Sequence, residues 1–285
     1  GYFDKFDYVV GLFQKTEDQS RAQQTYVKGA NLWNYYYWGV DYIVDPNEQD
    51  FDYNVREIIT NEASYGEFTY HYTDEVDITL GIRNYNVEAS AAMNSAFKLY
   101  DVFPVSDTDF NTDKGTLNKV NVSYRPSGKN QNYYFTSSEG YRRGGVNAVP
   151  TEGPLAEDAG WVPFESDTVK NIEFGVKGAL ADGTYYNLSY FMVDWDNPQL
   201  NTSTPVNGYY AVVNGDTAQI NGFDVELSGS AGAIDWNVGY SNKNARLSSD
   251  FYTPADTPVL YARSGAKLPG SPDHTFNLNL AHTSY

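Results

Sequence analysis

Apolar and polar residues alternate along much of this 285-residue chain. From Asn171 to Lys177, the apolar Ile172, Phe174 and Val176 are interleaved with Asn171, Glu173 and Lys177. Leu180-Ala181-Asp182-Gly183 then reads as a tight turn, after which Tyr186, Leu188, Tyr190 and Met192 share one face and Asn187 and Ser189 the other. Further on, Phe223, Val225 and Leu227 alternate with Asp224 and Glu226. A period of two is that of a β-strand with one apolar and one polar face. The same reading predicts strands from Phe6 through Leu12 and over 55–72, 76–89, 117–124, 133–142 and 234–240, with a last one beginning at Phe276. The count is about ten strands, and no helix is predicted.

The connections alternate as well. Polar loops over 14–54, 93–114, 144–165, 197–216 and 248–272 are separated by short turns such as Thr73-Asp74-Glu75 and Pro126-Ser127-Gly128-Lys129. In an antiparallel meander this places every long loop at one end, as in outer-membrane barrels. Greek-key sandwiches show no such rule. The pattern predicts an all-β, antiparallel up-and-down transmembrane barrel. Ile172, Phe174, Val176, Phe223, Val225 and Leu227 are expected to face lipid, and Glu173, Asp224 and Glu226 the lumen.

Composition changes the picture in three places. The mean hydropathy of −0.55 and the lack of a long apolar run exclude a transmembrane helix, but not a barrel whose strands are half polar. The net charge of −18 excludes nucleic acid as a partner and a polybasic membrane anchor. The absence of cysteine excludes disulfides and thiolate sites. Gly1-Tyr2-Phe3-Asp4 already reads as a strand entry and Phe276 to Tyr285 as mid-pattern, so the chain is expected to be a fragment.

Four stretches carry a resemblance. They are Phe6-Asp7-Tyr8-Val9-Val10-Gly11-Leu12-Phe13, the segment from Tyr134 to Asn147, the segment from Glu165 to Gly178, and the segment from Arg263 to His274. In this order they resemble the barrel region of TonB-dependent outer-membrane receptors. The resemblance implies that residues 1–285 are part of a barrel of roughly 22 strands. The plug domain and the closing strands would then be absent from this sequence. It implies energy-coupled uptake of a scarce nutrient, most often a ferric siderophore, with oligosaccharide as an alternative cargo. Implied partners are outer-membrane lipid and, through the absent plug segment, the TonB complex. A plug-less porin-like barrel or a surface-binding β-protein is the rival reading. No catalytic role and no cofactor are implied.

Candidate ligand contacts are Trp33, Tyr35, Tyr37 and Trp38, in a cluster that includes Tyr36 and Tyr42, and Arg142, Arg143 and Arg263. Aromatic faces stack on sugars and aromatic chelators, and arginine holds anionic groups. Each has a bland counterpart. Consecutive aromatics point both ways and suit an interfacial girdle. By alternation one of Arg142 and Arg143 faces the lumen, and either could pair with Glu139. Arg263 and Lys267 share that ambiguity. Asp107, Asp109 and Asp113 have carboxylate spacing but lack the flanking ligands of a calcium loop. The lumenal carboxylates need no chemistry beyond lining a channel. His71, His274 and His282 are scattered and show no metal-binding spacing.

Overall fold

The computed structural model describes residues 2–3, 5–39, 45–98, 102–153, 156–206 and 208–283, with side chains throughout except at 2–3, 97 and 102–107. Ten long strands follow one another. They are β1 (Phe6–Tyr26), β2 (Gln49–His71), β3 (Val76–Phe97), β4 (Val102–Tyr124) and β5 (Gln131–Arg142). The second five are β6 (Asp167–Ala179), β7 (Tyr185–Asp196), β8 (Thr217–Ala231), β9 (Ile234–Leu247) and β10 (His274–His282). Each pairs antiparallel with the next in one sheet, and Tyr2–Phe3 folds back on the start of β1. Tyr2–Phe3 and β10 are the outer members and do not pair with each other, so the sheet is open.

The register puts the predicted faces together. Phe174 lies opposite Phe135 on one side and Tyr190 on the other, and Tyr190 lies opposite Phe223. Val225 pairs with Leu188 and Tyr240, and Tyr240 with Phe276. This apolar face has no protein packed on it: Phe174 is 51% and Phe223 40% exposed. It faces lipid, as in other membrane barrels. The opposite face carries Glu173, which accepts the Tyr134 hydroxyl at 2.6 Å, and Glu226, within 3.4 Å of the Asn187 amide. At its lower end His71 sits between Asp77 (2.7 Å) and Asp7 (3.1 Å), tying β1, β2 and β3 together.

The connections sort as expected. Turns at 72–75, 125–130, 180–184 and 232–233 lie at one end, and the connections at 27–48, 98–101, 143–166, 197–216 and 248–273 at the other. In the turn after β6, the Gly183 N–H reaches the Leu180 carbonyl at 3.0 Å with φ at +86°, a conformation that glycine adopts without steric cost.

Two of the expected loops are shorter than the sequence suggests. The 14–54 loop is strand up to Tyr26 and again from Gln49, and the 93–114 loop shrinks to 98–101. The reason is the end of the lipid belt. Outward residues in β1 run Phe6, Tyr8, Val10, Leu12 and then Gln14, Thr16, Asp18, Ser20; in β3, Val76, Ile78, Leu80, Ile82 and then Asn84, Asn86, Glu88. The switch is level across the sheet, because Val10 pairs with Gly66, and Gly66 with Ile82. Above it the ladder continues with a polar outer face; in β1 the inner face is polar as well, so the alternation fades, while inner-face Val55, Ile59, Val87 and Met93 are buried in protein. The fourteen positions from Phe13 to Tyr26 carry β1 about 45 Å farther along its own direction. Asp109 and Asp113, and the backbone of Asp107, therefore belong to β4 and not to a loop.

The buried core sits on the inner face at this upper end. One cluster joins Val149, Trp161 and Val162 of the 143–166 loop with Tyr209, Ala211 and Val213 of the 197–216 loop. It continues into Phe251 and Leu268 of the last loop and Ala218, Ala245 and Leu247 of the wall. The long loops thus share one apolar core.

Candidate functional site

The 27–48 connection contains a helix, α1 (Ala30–Trp38), where the sequence reading expects irregular chain. Its bounds are glycines in the left-handed region, Gly29 and Gly39, and no β-branched residue interrupts it. The Glu48 carboxylate accepts the N–H groups of Gly29 (2.7 Å) and Asn31 (3.3 Å), satisfying donors that a helix start leaves open. This leaves the aromatic side chains outside: Trp33, Tyr35, Tyr36, Tyr37 and Trp38 are between 53% and 73% exposed. Their planes do not align. Trp33 and Tyr37 are tilted by 38°, Trp33 and Trp38 by 71°, and Tyr35 and Tyr36 by 80°. Tyr42 lies outside the described residues.

Arg142 and Arg143 part company in a way that simple alternation does not give. β5 ends at Arg142, whose side chain is on the inner face. Its Nε donates to both oxygens of Asp167, at 3.2 and 3.0 Å, and its Nη2 also bonds Asp167. Asp167 is 2% exposed and takes three further donors, the Arg142 backbone N–H at 3.2 Å, the Trp195 indole N–H at 2.9 Å and the Gln199 backbone N–H at 3.1 Å. The Arg142 guanidinium lies over the Trp195 ring at 5.2 Å and reaches the Gln199 carbonyl at 3.1 Å. Arg142 is therefore a clasp at the base of the 197–216 loop. The pairing with Glu139 considered from sequence is not formed; Glu139 instead accepts the backbone N–H and the side-chain amide of Asn118.

Arg143 follows the last strand residue, so alternation no longer governs it. It turns inward and lines a cleft of about 920 Å³ between the upper inner faces of β1 and β2 and the 143–166 and 197–216 loops. Aromatic rings form much of the cleft. Phe51 and Tyr53 stack at 5.8 Å, and each stands 6.2 Å from Tyr209. The Tyr53 hydroxyl donates to the Ala148 carbonyl at 3.0 Å, and the Tyr209 and Ser95 hydroxyls meet at 2.8 Å. Burial pushes the Tyr53 hydroxyl up to about 12 and raises Tyr209, so both stay protonated and neutral. Arg21 also lines the cleft but is paired with Glu57 at 3.0 Å. Among the described residues no carboxylate lies within ion-pair distance of the half-buried Arg143 guanidinium, and the Glu17 carboxylate of β1, paired with Lys15, is within its electrostatic reach.

The predicted contacts therefore separate. The α1 aromatics gather at the loop tip, Arg143 lines the cleft, Arg142 is committed to Asp167, and Arg263 is exposed on the last loop. Sequence reading missed Tyr53, Tyr209, Asp167 and Asn147. Asn147 is buried and joins the two loops, donating to the Trp161 and Val212 carbonyls at 2.8 and 2.6 Å and accepting the Val212 N–H at 2.8 Å. Asp167 and Asn147 carried a signal, standing inside the Glu165–Gly178 and Tyr134–Asn147 stretches. Among the described residues no group of His, Asp and Glu is arranged to hold a metal ion.

Comparison with known proteins agrees with this geometry. The model of the family described as "TonB dependent receptor-like, beta-barrel" matches residues 2–285. The pesticin receptor of Yersinia enterocolitica is 28% identical over 129 residues, which are 45% of this chain and 18% of that protein. The crystal structure of the ferric yersiniabactin uptake receptor of Yersinia pestis superposes with a TM-score of 0.71 at 19% identity, covering 99% of this chain and 38% of that one. A siderophore receptor of Acinetobacter baumannii gives 0.62 at 14% identity, covering 97% and 40%, and a copper transporter 0.61 at 13%, covering 86% and 36%.

Proposed function

Because the chain belongs to the TonB-dependent receptor family, transporters of the Gram-negative outer membrane and not enzymes, we propose that its upper cleft binds a ferric siderophore for uptake. The chain spans less than half the length of the receptors it superposes on. The proposal therefore includes a plug and its TonB coupling elsewhere in the same receptor. The observation that carries it is Arg143: a half-buried cation with no carboxylate within ion-pair distance, in a cleft lined by the rings of Phe51, Tyr53 and Tyr209 and also by Asp50, Glu57 and Arg21. A guanidinium that is partly desolvated and makes no direct ion pair favours an anion, and the rings favour a flat ligand. Ferric chelates of phenolate or catecholate type combine the two. The unaligned rings of α1 do not offer the flat platform that an extended oligosaccharide would use, which supports the chelate reading. The relatives named for yersiniabactin and siderophore uptake lend it further support, while the copper transporter's likeness shows that the fold leaves cargo open.

The test is equilibrium binding to the intact receptor in detergent, with a panel of ferric phenolate and catecholate chelates set against maltohexaose. An Arg143→Ala variant should weaken the best chelate by about ten- to a hundredfold, the scale of one lost charge-assisted hydrogen bond. Unchanged affinity, or preference for the sugar, contradicts the proposal.

A further inference from the structure

β4 and β5 are consecutive neighbours, yet their ladder is short. It runs from Lys119 opposite Ser138 to Tyr124 opposite Tyr133. β4 continues upward paired with β3 alone, while β5 stays with β6 as far as Arg142 opposite Asp167. The wall therefore parts between β4 and β5. A further wall strand cannot fill the parting, because the two strands are joined below it by the 125–130 turn. The parting begins where the lipid belt ends: Val120 is the last apolar outward residue of β4 before Asn118 and Thr116. Unpaired backbone groups can be hydrated there, as they could not be within the hydrocarbon.

Asn118 identifies the open side of β4. Its N–H points across the parting to the Glu139 carboxylate at 2.8 Å, which ends the ladder. In an antiparallel strand the N–H and C=O of a residue point the same way, and that direction reverses at each residue. Phe110, Thr112, Lys114 and Thr116 therefore turn their backbone groups toward the parting. Among the described residues, none of these groups has a backbone partner on that side. The open row is about 20 Å long. The 143–166 loop touches β4 here through inner-face side chains: the Asn111 amide donates to the Gly145 and Phe164 carbonyls, and Asp113 accepts the Gly144 N–H. Those contacts leave the edge itself open. Two of the devices that blunt such an edge are missing, since residues 108–118 contain no proline and pair with β3 without a bulge; the charges present are Asp109, Asp113 and Lys114.

We propose that the β4 edge from Phe110 to Thr116 docks an extended, basic segment of a partner polypeptide, which joins the sheet as an added strand. Four residues of β4 would supply the backbone bonds, the mode by which exposed sheet edges capture peptides. On the inner side the incoming side chains lie beside Asp113, in a chain of net charge −18, which selects lysine or arginine. On the outer side they lie beside Thr112, Lys114, Thr116 and the 64% exposed Phe110, which selects uncharged β-branched or aromatic residues there and confines the basic ones to the inner side.

The test uses the intact receptor in detergent and a capped seven-residue peptide alternating lysine with valine and threonine. Amide hydrogen exchange over 110–116 should slow at least tenfold when the peptide saturates. Thr112→Pro removes an N–H that faces the parting and leaves the ladder to β3 intact; it should weaken binding at least tenfold, and Asp113→Asn about threefold. The same peptide N-methylated at every second residue should not bind the native receptor, a result independent of how any variant folds. Slow exchange at these amides before peptide is added, or binding that survives N-methylation, overturns the proposal.

Discussion

Removing the Asp167 carboxylate should unfasten the 197–216 loop. Asp167 collects the Arg142 guanidinium and backbone N–H, the Trp195 indole N–H and the Gln199 backbone N–H. Because the Arg142 side chain is about half exposed, the ion pair itself is screened and contributes about 1 kcal/mol or less. The indole and the Gln199 N–H are different. Both would lose a charged acceptor, at about 1.5–3 kcal/mol each. Asp167→Ala should therefore cost about 3–6 kcal/mol locally, which corresponds to amide exchange in 197–216 faster by about a hundred- to ten-thousandfold. Asp167→Asn keeps the shape and one acceptor oxygen and should fall between. The assay is hydrogen exchange with mass spectrometry on the intact receptor, with the lipid-level segment 185–192 as internal reference. Faster exchange confined to the loop is the expected result. Unchanged exchange in 197–216 would refute the reasoning, because it would mean that the shared apolar core holds the loop without the clasp.

Three more outcomes are expected. Tyr53 has a raised folded-state pKa, so its contribution to stability is complete below the unfolded value near 10 and is lost as pH rises toward about 12; alkaline unfolding of the receptor should lose this component in Tyr53→Phe. Gly175→Ala should destabilise the β5–β6 pair, because a Cβ there would stand 2.3 Å from the Tyr134 ring, and Tyr134→Ala in the same background should restore heat resistance of the folded band on gels. Glu48→Ala should fray α1, costing about 1–2 kcal/mol as a lost helix cap, and raise amide exchange over 30–38 without affecting β1 below Leu12.

The sequence was legible where one face of a strand meets lipid and the other meets water. Ile172, Phe174 and Val176 announced β6 because the two environments differ, and the spacing of turns then ordered the loops at one end. The same signal ended too early in β1 and β3. From Gln14 to Tyr26 both faces are largely polar and exposed, so hydrogen bonding persists without a hydrophobic period; beyond Asn84 the apolar set of β3 changes face, with Tyr85, Val87 and Met93 inward and buried in protein. α1 was missed because Trp33 to Trp38 show no apolar stripe, although Gly29 and Gly39 bracket a stretch free of β-branched residues. The cleft was harder still. Tyr53, Arg143 and Tyr209 are brought together by loops folding onto the wall, and nothing in the local pattern of any of them marks the others. The inward turn of Arg143 depends on where β5 ends, a boundary that alternation cannot set to within one residue.

Lipid on one face of the sheet and lumen on the other is the claim on which the rest depends. The absence of cysteine makes a direct test clean. Single cysteines placed at Phe174, Val225, Glu173 and Asp224 of the intact receptor, spin-labelled and reconstituted in bilayers, can be probed with molecular oxygen, which partitions into lipid, and with a water-soluble nickel chelate. Labels at 174 and 225 should relax with oxygen, and labels at 173 and 224 with nickel. Equal response at all four positions, or protection of 174 and 225 from both reagents, would mean that the apolar face is buried in protein and would contradict the barrel.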